Sequence, residues 1–219
     1  IFIENKVILL FFSLLSFSIF IDLASYLRLE WDGQAGWIYR TLNFFEGYSF
    51  ENLKNIPGDV TYPHLGSFVW AFFYKNTFLQ HEYLGRLIFA FIYILSIFSA
   101  ADLLKVSNKI KIIFIFSIII LTYDRYLFGG YQEYLLFSFL LIFSKLFVIF
   151  VRDVDKNKFL FLLLLLCGNI LVWIKTEGLF LFLFLMFLFS LHHAINSKSK
   201  ALFAILVIFL LIIKIYIFQ

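Results

Sequence analysis

Seven long apolar runs, each bounded by charged residues, constrain the fold of this chain more than any other feature. They cover residues 7–27, 84–104, 110–123, 132–151, 159–174, 178–192 and 201–218. A helix needs about 20 apolar residues to cross a bilayer core, and a composition of 63% hydrophobic and 15% charged residues excludes an ordinary soluble core. The sequence therefore predicts an all-α, polytopic membrane protein with about seven transmembrane helices.

The first apolar run could form either a retained helix or a cleaved signal peptide. Its length and the poor cleavage sequence Leu23-Ala24-Ser25 favour a retained helix. The third, fifth and sixth runs are shorter than the others, so we expect these helices to be tilted or to use polar flanking residues.

Basic residues are concentrated in alternate short loops. These loops and the N-terminal segment hold Lys6, Lys105, Lys109, Lys111, Arg152, Lys156, Lys158, Lys198 and Lys200. The opposite short loops hold only Arg125 and Lys175. Because cytoplasmic loops carry the excess of Lys and Arg, the N-terminus is predicted to be cytoplasmic. The long loop at residues 28–83 and the C-terminus are predicted to lie outside.

The remaining bulk features restrict the partners and the extent of the chain. The net charge of +4 is explained by the loop clusters, so membrane lipids are expected partners and nucleic acid is not. Cys167 is the single cysteine, which excludes a disulfide framework and a Cys-based metal site. The chain starts at Ile1 without Met and stops at Gln219 directly after an apolar run, so we expect residues 1–219 to be the N-terminal transmembrane module of a longer protein.

The outward loop at residues 28–83 is the longest polar interval of the chain. Apolar side chains recur at helical spacing over residues 35–45, and Gly47 follows as a stop. This pattern predicts an amphipathic helix on the membrane surface. The Pro57-Gly58 pair predicts a turn, and residues 64–74 predict a second, aromatic helix that returns along the interface.

Asp32 is the acidic residue of this loop that is best placed for chemistry. It follows the first apolar run by a few residues and lies between Trp31 and the predicted amphipathic helix. A positioned carboxylate can act as a general base. Asp is also a favoured helix N-cap, and Asp32 directly precedes Gly33 and that helix. We place the functional role ahead of the capping role.

The same loop and the start of the second apolar run carry further candidate contacts. The turn Tyr62-Pro63-His64-Leu65 offers a phenol and an imidazole. His64 could contact a phosphate or a metal, or could be a hydrogen-bonded surface residue. Arg86 opens the second membrane helix, where it could bind an anionic donor or anchor the helix at the interface.

Two short outward turns also carry ionisable residues. Gln132 and Glu133 begin the fourth apolar run, and Glu133 could bind sugar hydroxyls or a metal, or be stabilised by the helix N-terminus. Lys175 and Glu177 lie in a tight turn between two apolar runs. A charge costs about 3 kcal/mol at mid-bilayer and less near the interface unless it meets a partner. Both are therefore site candidates, with a snorkelling lysine beside an ion-paired glutamate as the alternative.

Several signatures of other enzyme classes are absent from the sequence. It has no glycine-rich phosphate loop, no Asp-x-Asp, no His-Glu-x-x-His and no Ser-His-Asp set. An outward site has no access to cytosolic nucleotide sugars, so a sugar donor would be linked to lipid.

These motifs together resemble the GT-C superfamily of integral-membrane glycosyltransferases, in particular the protein mannosyltransferase and aminoarabinose transferase-like group. The resemblance rests on Asp32, the Tyr62-Pro63-His64-Leu65 turn, Gly85-Arg86, Gln132-Glu133 and Lys175-Thr176-Glu177-Gly178. In many relatives a second acid follows the aspartate, whereas here Gly33 follows it.

The resemblance implies inverting transfer of a hexose or pentose from a polyprenyl-phosphate donor to a lipid, glycan or protein, on the outer face of a bacterial inner membrane. It implies Asp32 as general base, Lys175 and Arg86 as ligands of the donor phosphate, and substrate contacts from Tyr62, His64, Gln132, Glu133 and Glu177. It requires no particular cofactor and is compatible with a divalent metal. The alternatives are a surface-polysaccharide polymerase and a membrane transporter or flippase, which would place its ionisable residues at mid-membrane.

Overall fold

The computed structural model describes residues 5–49, 63–76, 78–152 and 158–191, together with 208 and 212. In these ranges the regular elements are helical, which confirms the all-α prediction. The α-helices are α1 (Lys6–Ala24), α2 (Ile38–Glu46), α3 (Leu65–Asn76), α4 (Glu82–Ala101), α5 (Asn108–Thr122), α6 (Glu133–Arg152), α7 (Lys158–Ile174) and α8 (Thr176–Leu191).

Three of these helices, α1, α4 and α6, are long and apolar enough to cross a membrane. Shorter apolar helices follow at Phe159–Ile174 and Thr176–Phe187. This set is compatible with an integral membrane protein. The first six predicted windows each coincide with one helix. The seventh, at residues 201–218, lies outside the described residues apart from 208 and 212, so seven spans stay a prediction.

Helix α4 is the centre of the described bundle. Other parts of the chain bury 56% of its apolar window, against 22% for α1 and 28% for α6. Its buried side chains Tyr93, Ile94 and Phe98 pack with α1 and α5 on one side. On the other side Phe89 joins a cluster with Trp70 of α3 and residues of α6 and α7. Apolar burial of this extent is the main force that holds the helices together.

The polar loops of the bundle separate to its two ends. At one end Asn5 and Asn108 exchange side-chain amide hydrogen bonds of 2.9 and 3.2 Å. Near this end Asp102 lies 3.4 Å from Lys145 and 3.9 Å from Lys111. The loops after α1 and before α6 meet at the other end, as described below. This separation is what alternating loops require, and which end is cytoplasmic stays a prediction.

The segment after α1 forms the predicted helix, α2, with an additional π-helical turn before it. A π-helical turn, Gly33–Trp37, precedes α2, and the left-handed Gly47 (φ 93°) ends it, which confirms the predicted stop. Helix α2 packs on α3, where the buried Ser67 hydroxyl donates to the Trp37 carbonyl at 3.3 Å. The predicted turn at Pro57-Gly58 lies outside the described residues.

Candidate functional site

Lys175 is in contact with two acidic residues, and a third, beyond ion-pair distance, acts on it through its charge. It forms the whole connection between α7 and α8, and its side chain is only 13% exposed. Its Nζ lies 2.5 Å from Oε1 of Glu133 and 3.6 Å from Oε1 of Glu177. The carboxylate of Asp32 also acts on this ammonium electrostatically. We call these four residues the Lys175 cluster.

The carboxylates keep Lys175 charged. Burial by itself would lower the pKa of Lys175, but the hydrogen bond and charge of Glu133, followed by the charges of Glu177 and Asp32, raise the pKa above its ordinary value. Lys175 is therefore an ammonium throughout the physiological pH range. Three residues predicted as site members from two distant stretches of sequence, Glu133, Lys175 and Glu177, are thus in contact in the fold.

The tight α7–α8 junction depends on Gly178. A Cβ at Gly178 would overlap the carbonyl oxygen of Leu171, in the last turn of α7. Leu171 and Ile174 are both fully buried. The short junction and the buried end of α7 together fix where the Lys175 side chain starts.

Glu133 is the first residue of α6 and accepts the hydrogen bond from Lys175 through Oε1. Its second oxygen, Oε2, has no hydrogen-bond partner within the described part of the chain. A carboxylate oxygen can accept more than one hydrogen bond. Oε2 is buried, however, so a hydroxyl donor cannot reach it in this arrangement.

Asp32 is partly buried and already helical, with φ −62° and ψ −38°. Its side chain makes no capping hydrogen bond, so the capping role considered from sequence is wrong. Trp31 is 74% exposed and gives Asp32 little cover. The carboxylate of Asp32 thus lies at the start of the π turn and makes no hydrogen bond or ion pair among the described contacts.

The close packing around Gly33 leaves no room for a second acidic side chain directly after Asp32. A Cβ at Gly33 would overlap the carbonyl oxygen of Gly129 and lie 3.1 Å from Cα of Gly130. The backbone N–H of Glu30 donates to the same carbonyl of Gly129 at 2.8 Å. We call the approach of Gly33 to Gly129 and Gly130 the glycine contact. Any side chain at position 33 would force these backbones apart.

Arg86 is placed differently from the phosphate-binding role predicted for it. The residue is 3% exposed, and its Nη1 donates to the carbonyls of Phe128 at 3.0 Å and Arg28 at 3.4 Å. Its Nη2 donates to Leu27 at 2.8 Å and to Glu82 at 3.2 Å. Arg86 therefore joins the loops after α1 and before α6 to α4. In this structure its guanidinium is engaged by internal acceptors, and contact with a phosphate stays a prediction.

Gln132 is also buried, although it was predicted to contact substrate. It is fully inaccessible, and its Nε2 lies 3.5 Å from the carbonyl of Gly130. Its Oε1 fills the space that a Cβ at Gly66 would occupy and has no hydrogen-bond partner in the described ranges. Gln132 therefore packs the loop before α6 onto α3, and no open face of it is available to a substrate.

His64 is 5% exposed, and its ring packs edge-on to Phe44 at 6.1 Å. Burial, and next the positive charge of Arg40, lower the pKa of His64 to about 4. The imidazole is thus neutral at neutral pH, and its contact with a phosphate or a metal stays a prediction. Tyr62 lies outside the described residues.

Sequence reasoning missed Glu30. Its carboxylate accepts a hydrogen bond from the hydroxyl of Tyr26, and its backbone N–H binds Gly129. Residues 26–30 form no regular element, so no helical spacing rule could have shown this pair. Glu30 anchors the segment that carries Asp32.

An open apolar groove of about 390 Å³ lies close to the Lys175 cluster, between α3 and α7. It is lined by Leu65, Phe68, Asn169, Ile170 and Trp173. The indole N–H of Trp173 donates to Asn169 at 3.2 Å, which turns the polar atoms of this pair toward each other. Trp173 is two residues before Lys175, so the lining of the groove and the charged cluster are close to each other in sequence.

No three His, Cys, Asp or Glu side chains of the described ranges lie close enough together to hold a metal ion. No protein-family model, curated protein or solved structure matches the chain. The case for a function therefore rests on the residues of the Lys175 cluster and on what surrounds them.

Proposed function

We propose that this protein is an inverting glycosyltransferase that moves a sugar from a polyprenyl-phosphate donor to a lipid, glycan or protein acceptor at the outer surface of the membrane. One observation carries the proposal. A partly buried lysine contacts carboxylates from two distant segments, a third carboxylate acts on it through its charge, and the helix that ends at this lysine lines an open apolar groove. A lipid phosphate sugar presents the matching chemistry, which is an anion, hydroxyl groups and an apolar tail.

Asp32 acts as the general base in this proposal. The acceptor hydroxyl attacks the anomeric carbon of the donor while Asp32 takes its proton, and the bond from that carbon to the phosphate oxygen breaks with its electron pair on the phosphate. A sugar hydroxyl is a poor nucleophile at neutral pH, so a positioned base accelerates this step by about 10²–10⁴-fold. The absence of a capping bond leaves the carboxylate of Asp32 able to do this.

Lys175 stabilises the charge that develops on the leaving phosphate. Its ammonium is held in place by Glu133 at 2.5 Å and has further hydrogen-bond donors for a ligand. A preorganised cation in a partly dry site is worth more than one in water. The donor phosphate competes with Glu177, whose 3.6 Å contact and 57% exposure make it the weaker partner of Lys175.

Glu133 and Glu177 supply hydrogen-bond acceptors for sugar hydroxyls. Oε2 of Glu133 is buried and has no partner among the described residues, whereas Glu177 is largely exposed and is the accessible acceptor of the two. These two carboxylates surround the ammonium, so hydroxyl contacts and the phosphate contact fall within one site.

The apolar groove suits the prenyl chain of the donor. Its lining is mainly Leu65, Phe68, Ile170 and Trp173, and burial of a hydrocarbon contributes about 0.8 kcal/mol per CH₂. Trp173 lies in the last turn of α7, the helix that ends at Lys175, so the proposal places the phosphate end of the chain toward that end of the groove.

The placement of the cluster favours an enzyme over a transporter. Lys175 lies between two helices, Glu133 begins α6, and Asp32 precedes the π turn, so these charges are at helix ends. A transporter site is typically formed near the bilayer midplane by interrupted helices.

The test is sugar transfer in membranes that contain the protein, with a radiolabelled polyprenyl-phosphate sugar. Asp32→Asn should reduce transfer at least 100-fold with little change in thermal stability, since Asp32 caps no helix. Asp124→Asn is the matched control, because Asp124 is an exposed acid in the adjoining loop whose bond from the Tyr126 N–H an amide oxygen can still accept. Equal transfer by the two variants would remove Asp32 as the base.

A further inference from the structure

The turn that carries Asp32 and the loop that leads to Glu133 meet where Gly33 approaches Gly129 and Gly130. A Cβ at Gly33 would overlap the carbonyl oxygen of Gly129, and a Cβ at Gly130 would lie 2.7 Å from Cα of Gly33. All three glycines are buried. Two backbones approach here at a distance that other residues would not allow.

Backbone geometry makes this contact rigid. Glu30 donates its N–H to Gly129 at 2.8 Å, and Gln34 donates its N–H to Glu30 at 2.8 Å. Gly130 has a φ of 106°, which favours glycine. The start of the π turn is therefore hydrogen-bonded to the loop that ends at Glu133.

We propose that the glycine contact sets the position of Asp32 relative to Lys175 and Glu133, which makes Gly33, Gly129 and Gly130 positioning residues of the site. Glu133 lies three residues after Gly130, and Asp32 directly precedes Gly33. Lys175 is held by Glu133 at 2.5 Å, so its position is tied to the same loop. The catalytic consequence rests on the proposed function, because it requires Asp32 to be the base.

Gly33→Ala tests this inference, with Gly36→Ala as its matched control. Gly36 lies in the same π turn, and a Cβ there would have nothing within 4 Å. The first readout is the coupling between Asp32 and Lys175, measured as the departure from additivity of the melting-temperature shifts of Asp32→Asn and Lys175→Met. We expect the coupling in the wild type and in Gly36→Ala, and its loss in Gly33→Ala.

Gly129→Ala is a milder second perturbation, for use where Gly33→Ala does not assemble. Its Cβ would lie 2.6 Å from Cγ of Glu30 and 2.9 Å from two backbone atoms, the nitrogen of Glu30 and the carbonyl oxygen of Tyr126, against 2.3 Å from the Gly129 oxygen for Gly33→Ala. We expect it to reduce the same coupling, and a structural role without positioning would lower the melting temperature but leave the coupling unchanged. Coupling that persists in the glycine variants, or that is absent from the wild type, would overturn the inference.

Kinetics separate this inference from the proposed function. If both hold, Gly33→Ala lowers kcat at least tenfold with little change in KM for the donor, and Gly36→Ala leaves both unchanged. Coupling that is lost in Gly33→Ala while the wild type transfers no sugar would retain the positioning role and overturn the function. Normal transfer by Gly33→Ala with unchanged coupling would overturn the positioning role alone.

Discussion

The substitution Lys175→Met tests whether the ammonium of Lys175 stabilises the carboxylates around it in the folded protein. Met keeps an unbranched apolar side chain and removes the charge that lies 2.5 Å from Glu133 and 3.6 Å from Glu177. An exposed ion pair contributes about 0–1 kcal/mol, and loss of one partner of a buried pair costs about 3–5 kcal/mol. The side chains of Lys175 and Glu133 are 13% and 38% exposed, so the expected loss lies between these limits, at about 1–3 kcal/mol.

The assay is thermal unfolding of the purified protein in detergent. A loss of this size corresponds to a fall of several degrees in Tm for a chain of this length, at about 2–4 °C per kcal/mol. Lys75→Met is the control, since Lys75 is exposed and donates only to the Phe45 carbonyl, at 3.1 Å. The double variant Lys175→Met with Glu133→Gln should recover part of the loss, because it also removes the stranded charge. Strict additivity of the two changes would refute the ion pair as the cause.

The same pair has a defined pH dependence. Because the folded pKa of Lys175 is raised above the unfolded value of about 10.4, its contribution to stability is fully present below that value and is lost as the pH rises through the folded pKa. The difference in stability between the wild type and Lys175→Met should therefore be constant from pH 7 to 9 and shrink above about pH 10.4. A difference that shrinks by pH 8 would contradict this assignment.

Three further predictions follow from other parts of the fold. Since burial lowers the pKa of His64 to about 4, wild-type stability should fall as the pH drops from 6.5 toward 4; His64→Phe should flatten this fall and His81→Asn, at an exposed cap, should not. A single cysteine at the exposed Tyr126 should be labelled from outside and one at the exposed Ser107 only from inside; labelling of both from one side would contradict the predicted orientation. Gly178→Ala, whose Cβ would overlap the Leu171 carbonyl, should open the α7–α8 junction and lower Tm by several degrees, and an unchanged Tm would show that the junction can adjust.

The sequence predicted the positions of the helices better than it predicted which helices and loops contact each other. Apolar runs located the helices, and Gly47 marked the end of α2, because both signals are local. The contact of Lys175 with Glu133 was not predicted: Lys175 was selected because an uncompensated charge near a membrane is costly, and Glu133 because the start of its helix resembles that of the GT-C superfamily. The free-energy cost of a single charge identifies candidate residues, but it does not show which of these residues contact each other.

The misplaced side chains share one physical reason. Arg86 was expected at a surface and instead binds backbone carbonyls inside the bundle, and Gln132 fills the space beside Gly66. Hydropathy tells which segment enters the membrane, and it does not tell which face of a helix end meets another loop. The π turn and the glycine contact at Gly33 likewise depend on the approach of a loop that is almost 100 residues away in sequence.

The single-residue joint between α7 and α8 has a consequence for the lipid around the protein. Within the described ranges α8 has 16 residues, against the roughly 20 that span a bilayer core, and the sequence predicts this helix as a membrane span. A helix shorter than the hydrocarbon thickness adapts by changes in the bilayer or by displacement of its flanking residues. Because Lys175 is the whole linker, it has no slack to absorb such a displacement. We expect the acyl chain length of the surrounding phospholipids to act directly on the position of this ammonium.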